Sequence, residues 1–222
     1  MSSTLGVWVA SLTRQVPPVA NVVQTNTAFA AGPLTTVTLN GVTPGNTLIA
    51  LAAKDAQNSL SLTLTTTAGS TGSWTIDANY AALTYGTAEV GNAQALSSSV
   101  TVQFSFSGGA GQSLGALLEV KGAVSFDGFQ AQAVGASGTV QCGANPLVPT
   151  KTGDLFVTMM ACGPSPLVYT AIAAPFTALG ATGNRVLGGY YVQPLSTGLQ
   201  ATYSISTAGS NFVGLMAAYK LP

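Results

Sequence analysis

The stretch Leu34–Ala53, LTTVTLNGVTPGNTLIALAA, does most to limit what this chain can fold into. Val37 and Leu39 fall on one side of an extended strand, and Thr36, Thr38 and Asn40 on the other. Asn40-Gly41 and Pro44-Gly45-Asn46 are turn signals. Leu48-Ile49-Ala50-Leu51-Ala52-Ala53 is an apolar run with the length of a buried strand rather than a helix. The spacing predicts strand, short connection, buried strand.

The same period recurs downstream. Ser59-Leu60-Ser61-Leu62-Thr63-Leu64-Thr65 alternates strictly, as a strand with one wet face does. Val100, Val102, Phe104 and Phe106 alternate with Thr101, Gln103 and Ser105. Leu114–Val120 reads as a further strand, and Trp74-Thr75-Ile76 as another, with Trp74 or Ile76 inward. Residues 77–95 are less regular. No stretch reads convincingly as a helix; any helical turn is expected around 78–95 or 171–180.

With 222 residues, the chain can bury roughly 70% of its unfolded surface, so it needs no metal or disulfide staple. Charged residues are 5% of it, against roughly 25% in ordinary soluble domains. Six basic residues balance six acidic ones. No basic patch can hold phosphates, so nucleic acid is not expected as a partner. The surface must be built of Ser, Thr, Asn, Gln, Gly and Ala. Such a neutral shell lacks the repulsion that keeps monomers apart and suits a permanent assembly. A spanning helix needs about 20 predominantly apolar residues, and no segment qualifies. The N-terminal MSSTLGVWVASLTRQ lacks the basic and apolar regions of a signal peptide, so an outer-membrane barrel is not expected and no membrane partner is assigned. Cys142 and Cys162 are too few for a disulfide scaffold or a zinc site. They read as two free buried thiols, with a single bridge between them as the alternative.

A weaker copy of the opening unit appears about a hundred residues on. In LVPTKTGDLFVTMMAC, Gly153-Asp154 stands where Gly45-Asn46 stood, before another apolar run. A closer match has a constant, gapless offset. Phe104-Ser105-Phe106-Ser107, Gly115 and Lys121 fall on Tyr203-Ser204-Ile205-Ser206, Gly214 and Lys220. The chain thus reads as two related halves of about four strands each. That pattern predicts an all-β jelly-roll β-sandwich of two antiparallel sheets over residues 34–222, with an internal two-half repeat. Two tandem immunoglobulin-like sandwiches are disfavoured, because no linker separates the halves and each shows only four or five clear strands. Residues 1–33 read as a first strand or as an N-terminal arm that docks on a neighbouring subunit, with Val7, Trp8 and Val9 its anchors.

TVTLNGVTPGNTLIALAA, VTVQFSFSGGAGQSLGALLEVKG and YSISTAGSNFVGLMAAYK together resemble β-sandwich modules of tailed-bacteriophage virion proteins. Similar modules occur in large bacterial surface proteins. The resemblance covers most of 34–222 and implies a capsid decoration or fibre-type part. It carries no catalytic residues to transfer. It implies a virion protein assembled in the host cytoplasm, with its own copies and a major capsid or other virion protein as partners.

The residues themselves offer little chemistry. There is no histidine, which removes the usual base of Ser- and Cys-dependent hydrolysis and the commonest zinc ligand. The carboxylates are scattered and read as solvated loop acids; Asp77 with Glu89 is the one pairing weighed for a two-carboxylate glycosidase site. No phosphate loop or calcium loop is visible. The expectation is therefore no enzyme, no cofactor and no metal. A homo-oligomer is expected, a trimer favoured, since a two-sheet sandwich has strand edges to cover. The second expectation is a carbohydrate- or receptor-binding module, with Tyr80, Tyr85 and Tyr169 as candidate sugar-contact aromatics. Tyr190 and Tyr191 read as a strand pair with one ring buried.

Overall fold

A computed structural model describes residues 21–55, 61–82, 86–107, 111–136, 138–163, 168–206 and 212–222. Among them are seventeen strands and no helix. The first eight are β1 (Val22–Ala30), β2 (Leu34–Asn40), β3 (Thr47–Lys54), β4 (Leu62–Ala68), β5 (Thr75–Ala82), β6 (Gly86–Gln94), β7 (Ser99–Phe106) and β8 (Ser113–Val120). The second half contributes β9 (Ser125–Ala131), β10 (Ala133–Ala136), β11 (Thr139–Cys142), β12 (Leu155–Cys162), β13 (Tyr169–Ile172), β14 (Thr177–Leu179), β15 (Val186–Val192), β16 (Thr202–Ile205) and β17 (Phe212–Lys220).

Two sheets arise from each half. In the first half a five-stranded sheet, β1-β8-β3-β6-β5, is faced by a three-stranded one, β2-β7-β4. In the second, β14-β15-β12-β17-β9 is faced by β10-β11-β16-β13. The all-β, two-sheet sandwich expected from the alternation is therefore present, and each half builds one. The sequence signals suggest about four strands to a half; eight lie between 22 and 120 and nine between 125 and 220. The lack of strands that argued against tandem sandwiches is thus removed, and the boundary falls at 121–124.

Alternation decides which side chain faces where. In β3, Leu48, Ala50 and Ala52 point at the small sheet and meet Val37, Leu39, Val102 and Phe104. Ile49, Leu51 and Ala53 point the opposite way. There they meet Val157, Met159, Leu215 and Ala217 of the second half's large sheet. A separate core between the second half's own sheets holds Val140, Phe156, Met160, Tyr169 and Tyr203. The molecule is four layers deep, with the two five-stranded sheets packed face to face in the middle.

That layering explains the composition of the strands. β3, β8 and β12 are buried at every position, so each is largely apolar on both faces. β2 and β7 have a wet side and alternate. Close stacking also selects small residues. A methyl at Gly115 would lie 2.8 Å from the Phe104 ring, and one at Gly214 would strike the Met160 sulfur.

Of residues 1–33, Val22–Ala30 forms strand β1, antiparallel to β8. Val7, Trp8 and Val9 lie outside the described residues. Trp74 is partly buried against the first core and donates Nε1–H to Thr66 Oγ1 at 3.0 Å. Ile76 is exposed.

Candidate functional site

The ionisable groups show what chemistry the fold makes available. Asp55, Glu89, Glu119 and Asp154 are buried, and the Asp127 side chain is 2% exposed. The expectation of solvated loop acids is corrected here. Burying a carboxylate is costly unless donors reach it, so each site is defined by what it receives.

At the end of the stack where β3 and β12 finish, Asp55 joins the halves. Its Oδ2 accepts from Arg185 Nε at 2.6 Å, and its Oδ1 accepts from the backbone N–H of Gln112. Gln112 Oε1 in turn accepts the Arg185 N–H at 2.8 Å. Burial raises the pKa of Asp55, opposed by the Gln112 donor and the cations of Arg185 and Lys54. Lys54 is buried beside it, and that burial lowers its pKa against the pull of Asp55.

The opposite end carries two more clusters. In the first half, Glu119 Oε1 accepts from Thr43 N–H at 2.8 Å and Asn46 Nδ2 at 2.6 Å. Its Oε2 accepts from Gln24 Nε2 at 2.7 Å. In the second half, Asp127 accepts from Thr150 N–H at 2.7 Å, Thr150 Oγ1 at 2.6 Å and Lys220 Nζ at 2.9 Å. Burial pushes the Asp127 pKa up, but these donors outweigh it and hold the group well below the usual carboxylate range. Beside it, Asp154 is raised to about 6, first by burial and then by Asp127.

Asp77 and Glu89 are not brought together. Asp77 Oδ2 accepts from Tyr219 OH at 2.6 Å, across the central interface. Glu89 Oε1 accepts from Leu62 N–H at 3.1 Å, on the side of the small sheet. They occupy opposite faces of one sheet, so no sugar ring fits between them as a two-carboxylate site requires. Burial raises Glu89 to about 7.

The described aromatic candidates, Tyr80 and Tyr169, do not converge either. Tyr169 is 0% exposed and packs edge-on against Tyr203 at 5.5 Å in the second core. It is corrected from a sugar contact to a core residue. Tyr80 is half-buried on β5 against the central core, and Tyr85 lies outside the described residues. Tyr190 and Tyr191 are both partly buried. Cys142 and Cys162 are buried thiols that form no disulfide, with burial pushing both up to about 12. Among the described residues no group of three or more His, Cys, Asp or Glu could hold a metal. No helix among them is long and apolar enough to cross a membrane.

The two outer faces of the stack have one chemistry. Thr36 pairs with Gln103 and Gln103 with Thr65; Thr38 pairs with Thr101. On the far side Thr139 pairs with Ser204, and Gln141 with Thr202. None of the seven strands in these two outer sheets contains an Asp, Glu, Lys or Arg. Sequence reasoning foresaw a neutral surface but did not locate it on two opposed planes.

Comparison with protein-family models, with curated proteins and with solved structures gives no match for this chain. What the fold and these clusters define is an all-β sandwich protein in which Asp55, Asp77, Glu89, Glu119 and Asp127 accept hydrogen bonds from its own chain.

Proposed function

We propose that this chain is a non-enzymatic structural protein of a virion, and that it decorates a capsid. The observation that carries this reading is the pair of uncharged outer sheets. Like-charge repulsion between copies is absent there, and hydroxyl and amide rows can hydrogen-bond a neighbour along a broad plane. The buried acids support the non-enzymatic part, since most of them accept from backbone or side-chain donors and have no substrate-facing position. Its partners on this reading are its own copies, in a trimer, and a major capsid or other virion protein. It would reach the virion from the host cytoplasm.

A finer reading of the fold goes with it. Each half comes close to a jelly-roll order, numbered along its own strands: the first, eighth, third, sixth and fifth side by side, facing the second, seventh and fourth, with the fifth beside the sixth instead of the fourth. The second half repeats that order, with β10 as an addition at its edge. Two fused copies of one module suit a lattice-binding part.

The alternative is a carbohydrate- or receptor-binding module of a fibre or surface protein. The Thr, Ser and Gln rows favour it, while the burial of Tyr169 weighs against it. Light scattering on the full chain at micromolar concentration tests the first reading. A trimer or larger particle supports it and a clean monomer overturns it. A second measurement on the chain lacking residues 1–20 assigns the assembly role: a fall to monomer gives it to the arm bearing Val7, Trp8 and Val9. Specific binding on a glycan array would favour the alternative.

A further inference from the structure

The Asp127–Asp154 pair differs from the other buried acids. Asp55, Asp77, Glu89 and Glu119 all accept hydrogen bonds. Asp154 is 0% exposed, and among the described residues no donor reaches either of its carboxylate oxygens. Its carboxyl lies within hydrogen-bond reach of Asp127, whose own oxygens are occupied by Thr150 and Lys220.

The first half shows what this position requires. Asn46 immediately precedes β3 as Asp154 immediately precedes β12, each after a glycine of positive φ, Gly45 and Gly153. Asn46 donates Nδ2 to Glu119 and accepts the Gly122 N–H at 3.0 Å. An amide donates and accepts, whereas a carboxylate only accepts. Asp154 can therefore bond Asp127 only while it carries a proton.

We propose that Asp127 and Asp154 form a proton-operated clasp that fastens the turn at 149–153 and the last residues of the chain to the second sandwich. Four charged groups meet there: Asp127 from β9, Lys220 from β17, Lys151 from the turn and Asp154 itself. The lysines are engaged elsewhere. Lys220 binds Asp127, and Lys151 donates Nζ–H to the Leu221 carbonyl at 2.6 Å. With Asp154 protonated, its O–H donates to Asp127 and the turn, β9 and the chain end are tied together. With Asp154 ionised, two buried carboxylates face each other and the Asp154–Asp127 bond is lost, which weakens the hold of the Thr150, Lys220 and Lys151 contacts around it. The folded pKa of Asp154 lies above its unfolded value, so the stabilisation is complete below about pH 4 and disappears as pH rises through about 6. This inference goes beyond the proposed function and does not depend on it.

The test is a carboxyl-carbon NMR titration of the full chain, with amide hydrogen exchange at pH 5 and 7.5 corrected for intrinsic rates. One Asp carboxyl should titrate near pH 6 and vanish from the Asp154→Asn spectrum. Protection of the Thr150 amide should fall by up to about a hundredfold between the two pH values in the wild type, the limit set by a shift of about two units. It should stay level in Asp154→Asn. Glu89 titrates nearby in pH but is separated by its Cδ shift and its place in the first half. The clasp is overturned if Asp154 titrates below pH 5, if wild-type protection is level, or if the step survives in Asp154→Asn. Should that variant fail to fold, the wild-type titration decides.

Discussion

Three donors converge on Glu119, from Gln24, Thr43 and Asn46, and tie β1, the β2–β3 turn and β8 to one carboxylate. Removing the acceptor strands partly or fully buried donors, each worth about 1–3 kcal/mol. Glu119→Ala should cost about 2–4 kcal/mol in urea unfolding, with the slope unchanged; a loss under about 0.5 kcal/mol would show that water replaces the carboxylate. Glu89 behaves in the opposite way. Its pKa is raised from 4.5 to about 7 by burial, so the folded state prefers the protonated form. That stabilisation is full below about pH 4.5 and is lost as pH rises towards 7. Glu89→Gln keeps an acceptor for Leu62 N–H and removes the charge. It should be more stable than wild type at pH 8 by about 1–3 kcal/mol and equal to it near pH 4. Equal stability at both values would mean that Glu89 is hydrated in solution.

At the scale of elements, the strands differ by how many faces they bury. Leu51 on β3 lies in the central core and is 0% exposed, while Thr65 on β4 faces solvent. Leu51→Ala should cost about 2–5 kcal/mol, and Thr65→Ala should stay within about 0.5 kcal/mol of wild type. Similar costs at both sites would contradict the layering. This difference was half legible in the sequence. Alternation in β2 and β7 gave their wet and dry faces, and the unbroken run Leu48–Ala53 gave a buried strand. The run could not say that its second face meets another sheet of the same chain. Short strands were missed for a related reason. β11, β13 and β14 have three or four residues each, too few for a period, and β6 is rich in Gly and Ala and carries a weak β signal. Edge protection was also invisible. Gln24 and Asn26 of β1 donate their side-chain amides to the Asn40 and Thr38 carbonyls of β2, at 3.0 and 2.8 Å. Those acceptors are thereby taken before an incoming strand could use them.

Across the whole molecule, the gapless match between 104–121 and 203–220 falls on β7–β8 and β16–β17. These strands hold corresponding places in the two sheet orders. The match of spacing itself is legible, because it is read directly from the residues. The docking of the halves is not, because a face turned towards another sheet reads like any other core face. β5 and β6 pack over β17, β3 and β6 over β12, and β3 and β8 over β15. A separated half would expose Ile49, Leu51 and Leu118, or Val157, Met159 and Leu215, to water, a contiguous apolar face that soluble monomers rarely present. Asp55–Arg185 adds a second tie at one end. The halves should consequently unfold together despite sharing no sheet. Calorimetry should give one transition whose calorimetric and van't Hoff enthalpies agree; independent halves would give a ratio of about two. Leu215→Asp would place an unpaired charge between the large sheets and should split the transition or lower the midpoint of the whole. If wild type already melts in two steps, the central interface is weaker than either sandwich, and the four layers act as two modules joined at 121–124.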